Sequence, residues 1–91
     1  MTFAQIYDEK LKANGGNRPM DWMAQMAQFA AISVDSIYLY ATGWRKPHPA
    51  AAKLLSIALD TPAEELFPLT FGKARLAEEA EGKDDTLLNN N

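Results

Sequence analysis

The 91-residue chain contains no cysteine, a single histidine, and no apolar run approaching the roughly 18 to 20 residues of a membrane span. Each absence removes a class of function. Without cysteine there is no disulfide framework, no thiolate metal site and no cysteine nucleophile. A lone histidine, with no metal-ligand spacing, no phosphate-cradling glycine loop and no serine paired to a base, assembles none of the usual catalytic constellations. The adjacent acids Glu64-Glu65 and Glu78-Glu79 look like helix-surface charge. The sequence therefore predicts a protein that is not an enzyme and uses no cofactor or metal. Its first stretch, MTFAQIYDEK, has neither the basic n-region nor the apolar h-region of a secretory leader, so a cytoplasmic protein with no membrane partner is expected.

What the chain does have is helical periodicity. Hydrophobic residues make up 47% of it, enough to close one modest core, so a single small domain is expected. Phe3, Ile6, Tyr7 and Leu11 fall at helical spacing before Asn14-Gly15-Gly16, which predicts a helix over 2–13. A second helix is expected from Pro19, with Asp21 against its dipole and Trp22, Met23, Met26, Phe29 and Ala30 as its buried stripe. A third over 34–42 buries Ile37, Tyr40 and Ala41, and a fourth over 49–59 turns Ala51, Leu54, Leu55 and Ala58 inward. Thr61-Pro62-Ala63-Glu64 has the pattern of a capping box and predicts a short fifth helix ending at Leu66-Phe67. A short sixth helix over 71–81, with Leu76 as its anchor, and a disordered tail over 82–91 complete the all-α expectation. The domain is thus assigned to 1–68 and a C-terminal extension to 69–91.

The junctions around the third helix carry independent signals. Ser33 is placed to cap it, Ile32 and Ile37 have the spacing of a hydrophobic staple, and Gly43 stands where a helix C-terminus favours positive φ. Pro47 and Pro49 then prevent simple continuation. The resulting helix, tight turn and helix is the layout of a helix-turn-helix. Charge is uneven around it. Up to His48 there are five basic and four acidic residues, and from Pro49 onward four basic and eight acidic, giving +1 and −4. Such a balance disfavours nonspecific polyanion binding unless a basic edge faces away from the acidic end.

Met26-Ala27, Ala31-Ile32-Ser33, Ile37, Tyr40, Gly43, Arg45-Lys46-Pro47 and Leu55-Ser56-Ile57-Ala58-Leu59 with Glu65-Leu66-Phe67 fall in one register. In that register the stretch 3–67 resembles the phage-repressor and Cro-like helix-turn-helix family, also called XRE-type or lambda-repressor-like. Ala27 resembles the small residue that lets the two motif helices approach, Ile37 the core residue of the recognition helix, and Gly43 with Arg45-Lys46-Pro47 the loop that follows the DNA backbone. The resemblance implies a compact five-helix lambda-repressor-like domain that acts as a homodimer on double-stranded DNA, with the third helix in the major groove. It implies a transcriptional regulator of phage or mobile-element type.

On that basis Ser33, Val34, Asp35 and Tyr38 are the expected base readers, and Arg18, Arg45, Lys46 and Lys53 the expected backbone contacts. Asp35 is suited to accept from a cytosine amino group and Val34 to touch a thymine methyl. The same face, continuing through Leu39 and Thr42, carries no cation, where the family commonly has glutamine, asparagine, arginine or lysine. Ala31 occupies the turn position usually held by glycine, at a cost of about 1 kcal/mol if its φ is positive. Met23 replaces an expected glutamine.

An alternative keeps the scaffold but makes it a protein-binding module or inhibitor, with Val34, Tyr38, Leu39 and Trp44 as an apolar patch for a protein partner. Plainer roles stand beside each of these residues. Arg45 and Lys46 can be a solvated corner, Asp35 a dipole partner, Lys53 a solvated side chain, and His48 a residue that starts the fourth helix. Trp44 is either a packed loop anchor or an exposed contact, and Met20, Met23 and Met26 are core filler.

Overall fold

Helix α1, Phe3–Ala13, starts at a reciprocal capping box in which the Gln5 N–H donates to Thr2 Oγ1 at 3.1 Å and the Thr2 N–H donates to Gln5 Oε1 at 2.8 Å. This computed structural model describes residues 1–71, and all regular structure among them is helical. Helix α2, Met20–Ala30, follows Pro19 with Asp21 in its first turn. Helix α3, Val34–Thr42, is capped by Ser33, whose Oγ accepts the Ser36 N–H at 3.1 Å, as the sequence predicts. Helix α4, Pro49–Ala58, is capped by His48, whose Nδ1 accepts the Ala50 N–H at 3.2 Å. His48 therefore starts a helix. Two single turns follow, α5 over Ala63–Leu66 and α6 over Pro68–Phe71. The sixth helix expected over 71–81 and the disorder expected over 82–91 lie, Phe71 apart, outside the described residues. No helix among the described residues is long and apolar enough to cross a membrane.

The capping box expected at Thr61 does not form. Helix α5 has Pro62 at its cap position with no side-chain bond, and Thr61 Oγ1 instead donates to the Leu59 carbonyl at 2.9 Å. The Thr61 N–H is committed to the preceding helix, donating to the Ser56 carbonyl at 3.0 Å, so the residue ends α4 rather than starting α5.

That bond belongs to a closure used four times. Gly15, Ala31, Gly43 and Asp60 each take positive φ after a helix. In each case the next residue's N–H reaches back five positions: Gly16 to Leu11, Ile32 to Ala27, Trp44 to Leu39, and Thr61 to Ser56, at 2.9 to 3.0 Å. This is the Schellman arrangement, and it satisfies carbonyls that the helix end leaves open. Gly15 and Gly43 enter it without strain, whereas Ala31, at φ 58° and ψ 43°, carries a Cβ into left-handed space. The strain there is about 1–2 kcal/mol, and glycine's extra freedom in the unfolded chain offsets roughly half of it. Ala31 is exposed, so its methyl contributes little packing in return. Ala31→Gly is expected to raise stability by about 0.5–1 kcal/mol, or roughly 3–6 °C in thermal melting followed by circular dichroism. An unchanged or lower melting temperature would contradict the strain.

The core takes one fully buried large side chain from each of the first five helices: Phe3, Met23, Ile37, Leu55 and Leu66. Helix α2 packs on α3 and α4, α1 on α3, and α5 on α4 and α6. Buried alanines at 27, 30, 41, 51 and 52 let these helices approach closely. Aromatic rings bind the assembly across elements: Phe3 lies 5.6 Å from Trp22 and 5.2 Å from Phe67, and Phe67 meets Tyr40 and Phe71 edge-on at 6.4 and 6.5 Å. The expected inner residues of α3 and α4 are buried or half-buried. Two assignments in α2 are corrected. Phe29 is 52% exposed, because at about 100° per residue it falls well off the line through Met23, Met26, Ala27 and Ala30. Met20, at the helix start, is likewise exposed rather than core filler.

Candidate nucleic-acid interface

Three residues, Ala31 to Ser33, separate α2 from α3, and the left-handed Ala31 turns the chain between them. Buried Ala27, Ala30, Ile37 and Ala41 lie in these two helices, while Ile32 packs half-buried against the same core. The staple residues thus share one apolar environment, which fixes how α3 leaves the turn. With Ile37, Tyr40 and Ala41 inward, the 100° helical step puts Asp35, Leu39 and Thr42 on the opposite side. Asp35 and Thr42 are exposed and Leu39 is half-buried.

The expected base readers differ in how free they are. Ser33 is exposed, but its oxygen is engaged as the cap, and its hydroxyl donates to Ser36 Oγ at 3.0 Å. Val34 is half-buried against the core, leaving part of its side chain outward. Asp35 sits in the first turn, where the helix dipole favours a carboxylate, and it forms no ion pair with any described residue. Tyr38 is half-buried and meets Tyr7 edge-on at 6.4 Å.

Cations absent from α3 itself are delivered to its flanks. The Arg18 guanidinium lies over the Tyr38 ring, 4.2 Å from its centroid, and the loop that carries it is held where Asn14 Nδ2 donates to the Asn17 and Arg18 carbonyls, each at 3.1 Å. On the other flank Arg45 Nη1 reaches Ser36 Oγ at 3.5 Å, the long limit of a hydrogen bond. Tyr38 and Ser36 are separated by about 200° around the helix, or 160° the shorter way, so the two arginines stand on opposite sides of the outward face. Lys46 follows Arg45 and is exposed. Lys53 is also exposed, on the side of α4 away from its buried residues, and no ion pair among the described residues ties it to α3. Gly43 ends α3 and leaves Trp44 81% exposed, which removes its role as a packed loop anchor.

No protein-family model, curated protein or solved structure matches this chain.

The two flanking arginines carry no sequence signal at short range. Arg18 and Tyr38 are twenty positions apart, and Arg45 and Ser36 nine. Arg18 and Arg45 are nevertheless among the expected backbone contacts, and Tyr38 is a supporting surface as well as a candidate reader. Ser36 lay outside the expected set; its place at the third position of α3, beside Ser33, is the one local hint of a polar edge.

Proposed function

We propose that the chain is a small sequence-specific DNA-binding transcriptional regulator of the phage-repressor and Cro-like type, acting as a homodimer with α3 in the major groove. The observation that carries this is the pair of arginines flanking α3, one stacked on Tyr38 and one at Ser36, around an outward face that begins at the capped end of the helix. Phosphates of the two strands bordering a major groove lie on either side of an inserted helix, so cations on both flanks neutralise them while the face between them meets base edges. Arg18, Arg45 and Lys46 hold the backbone in this reading, with Lys53 as a more distant contact. Asp35, the outward part of Val34, and the exposed edges of Ser33 and Tyr38 read bases.

The test is fluorescence anisotropy of the full chain against random-sequence and genomic-fragment duplexes at about 50 and 200 mM salt. DNA binding requires an affinity that falls steeply with salt, by at least tenfold over that interval if three phosphates are neutralised. Absence of binding at the lower salt would sink the proposal.

A second reading rests on Trp44, which is 81% exposed beside half-buried Leu39. A large aromatic left in water at a helix end is suited to anchor a protein partner, with Val34, Tyr38 and Leu39 completing the patch. It requires binding that survives salt and needs no DNA.

A further inference from the structure

An open cleft of about 380 Å³ lies between the start of α1, the end of α3 with its following loop, and the α5–α6 corner. Apolar atoms from Ala4, Ala41, Pro47, Leu66 and Leu69 wall it, Arg45 and Lys46 line it on the loop side, and among the described residues no acidic one does. Neither cation has an ion-pair partner among the described residues. The cleft therefore combines an apolar wall, on which Leu69 is 84% exposed, with two cations that pair with no acid among the described residues.

The chain continues from that wall. Phe71 closes α6 with its ring edge-on to Phe67, and twenty residues follow. Within them the eight-residue run 78–85 holds Glu78, Glu79, Glu81, Asp84 and Asp85 against Lys83 alone, and Leu87-Leu88 comes directly after. Lys73 and Arg75 fall in the spacer before the acids. An extended chain advances about 3.3–3.6 Å per residue, so the stretch from Gly72 to Glu78 spans roughly 20 Å. That length suffices to reach cations on a cleft whose other wall is α6 itself.

We propose that the acidic run 78–85 of this same chain folds back onto the cleft and pairs with Arg45 and Lys46, and that it competes there with DNA phosphates. The competition, though not the fold-back, rests on the DNA-binding function proposed above. A tether this short holds the acids at an effective concentration in the millimolar range, so weak individual pairs suffice. Leu87-Leu88 supplies apolar side chains for the exposed wall around Leu69. The result is a self-occupied site that only DNA of sufficient affinity opens, which restrains nonspecific binding more than specific binding.

Because the sequence has no cysteine, Thr86→Cys introduces a unique thiol for a nitroxide label in the full chain. At about 50 mM salt the backbone amide signals of Ala4, Gly43, Arg45 and Lys46 are expected to broaden about threefold more than those of Lys53 and Ile57 on α4. The difference should vanish at about 500 mM salt, and also when Glu78→Gln, Glu79→Gln, Glu81→Gln, Asp84→Asn and Asp85→Asn are combined in the labelled chain. Uniform broadening, broadening that survives the five substitutions, or broadening that appears on unlabelled copies in a mixture would each overturn the fold-back. The neutralised chain should bind a random duplex about tenfold tighter at the lower salt. If the amides broaden as expected and neither form binds duplex DNA, the competition is overturned while the fold-back stands. If DNA binds and the amides do not broaden, the fold-back alone fails.

Discussion

Phe3→Ala is expected to cost about 3–5 kcal/mol of stability and to leave the protein marginally stable at 25 °C. Phe3 is 0% exposed although it is the first residue of α1, and its ring touches two others from different elements, Trp22 of α2 and Phe67 between α5 and α6. Truncation removes the transfer energy of the ring, opens a cavity, and deletes two aromatic pairs worth about 0.5–1.5 kcal/mol each beyond their buried area. A domain of this length has on the order of 4–10 kcal/mol in total, so one such loss consumes much of it. Phe3→Leu keeps most of the volume and should cost less than half as much. Urea unfolding followed by tryptophan fluorescence in a Trp44→Phe background, which leaves Trp22 as the one reporter, follows both variants at the site of the change. A loss below about 1 kcal/mol for the alanine variant would mean that the start of α1 is not part of the core.

The sequence was most legible where a feature is decided by neighbours within one turn. Ser33 caps α3 and Gly43 ends it because the chemistry of a cap and of a left-handed residue operates within about four positions. The same pattern can still deceive. Thr2-Phe3-Ala4-Gln5 and Thr61-Pro62-Ala63-Glu64 both have the capping-box spacing, yet only the first forms a box, since the Thr61 backbone is already spent on closing α4. Phe29 was misplaced because apolar spacing defines a stripe without fixing its width, and α2 has enough alanine and methionine to fill the contact without it. The site divides in the same way. The polar start and apolar middle of α3 are visible in one dimension, whereas the delivery of Arg18 to Tyr38 depends on how the α1–α2 loop passes α3, which no local pattern encodes.

Arg45→Ala combined with Lys46→Ala, compared in the chain whose acidic run 78–85 is neutralised, is expected to weaken DNA binding by roughly 30- to 100-fold at about 0.1 M salt, with the fold intact. Each phosphate contact releases close to 0.9 of a condensed counterion, worth about 1.2 kcal/mol at that concentration, so two contacts contribute about 2.4 kcal/mol. At 1.4 kcal/mol per decade this is a little under two decades in affinity. Two further signatures separate phosphate neutralisation from a disturbed fold. The slope of log affinity against log salt should fall in magnitude by about 2, and the loss should be nearly the same on random and specific duplexes, because phosphate contacts position the helix without reading sequence. Both side chains are exposed and Arg45 makes only a long contact to Ser36, so the change in folding stability should stay within about 0.5 kcal/mol. A smaller salt slope with the same fold-loss on every duplex would place these cations on phosphates. A loss confined to one sequence would instead make Arg45, which already leans toward α3, a base reader; no loss at all would leave the loop a solvated corner and return the weight to Trp44 and its apolar neighbours.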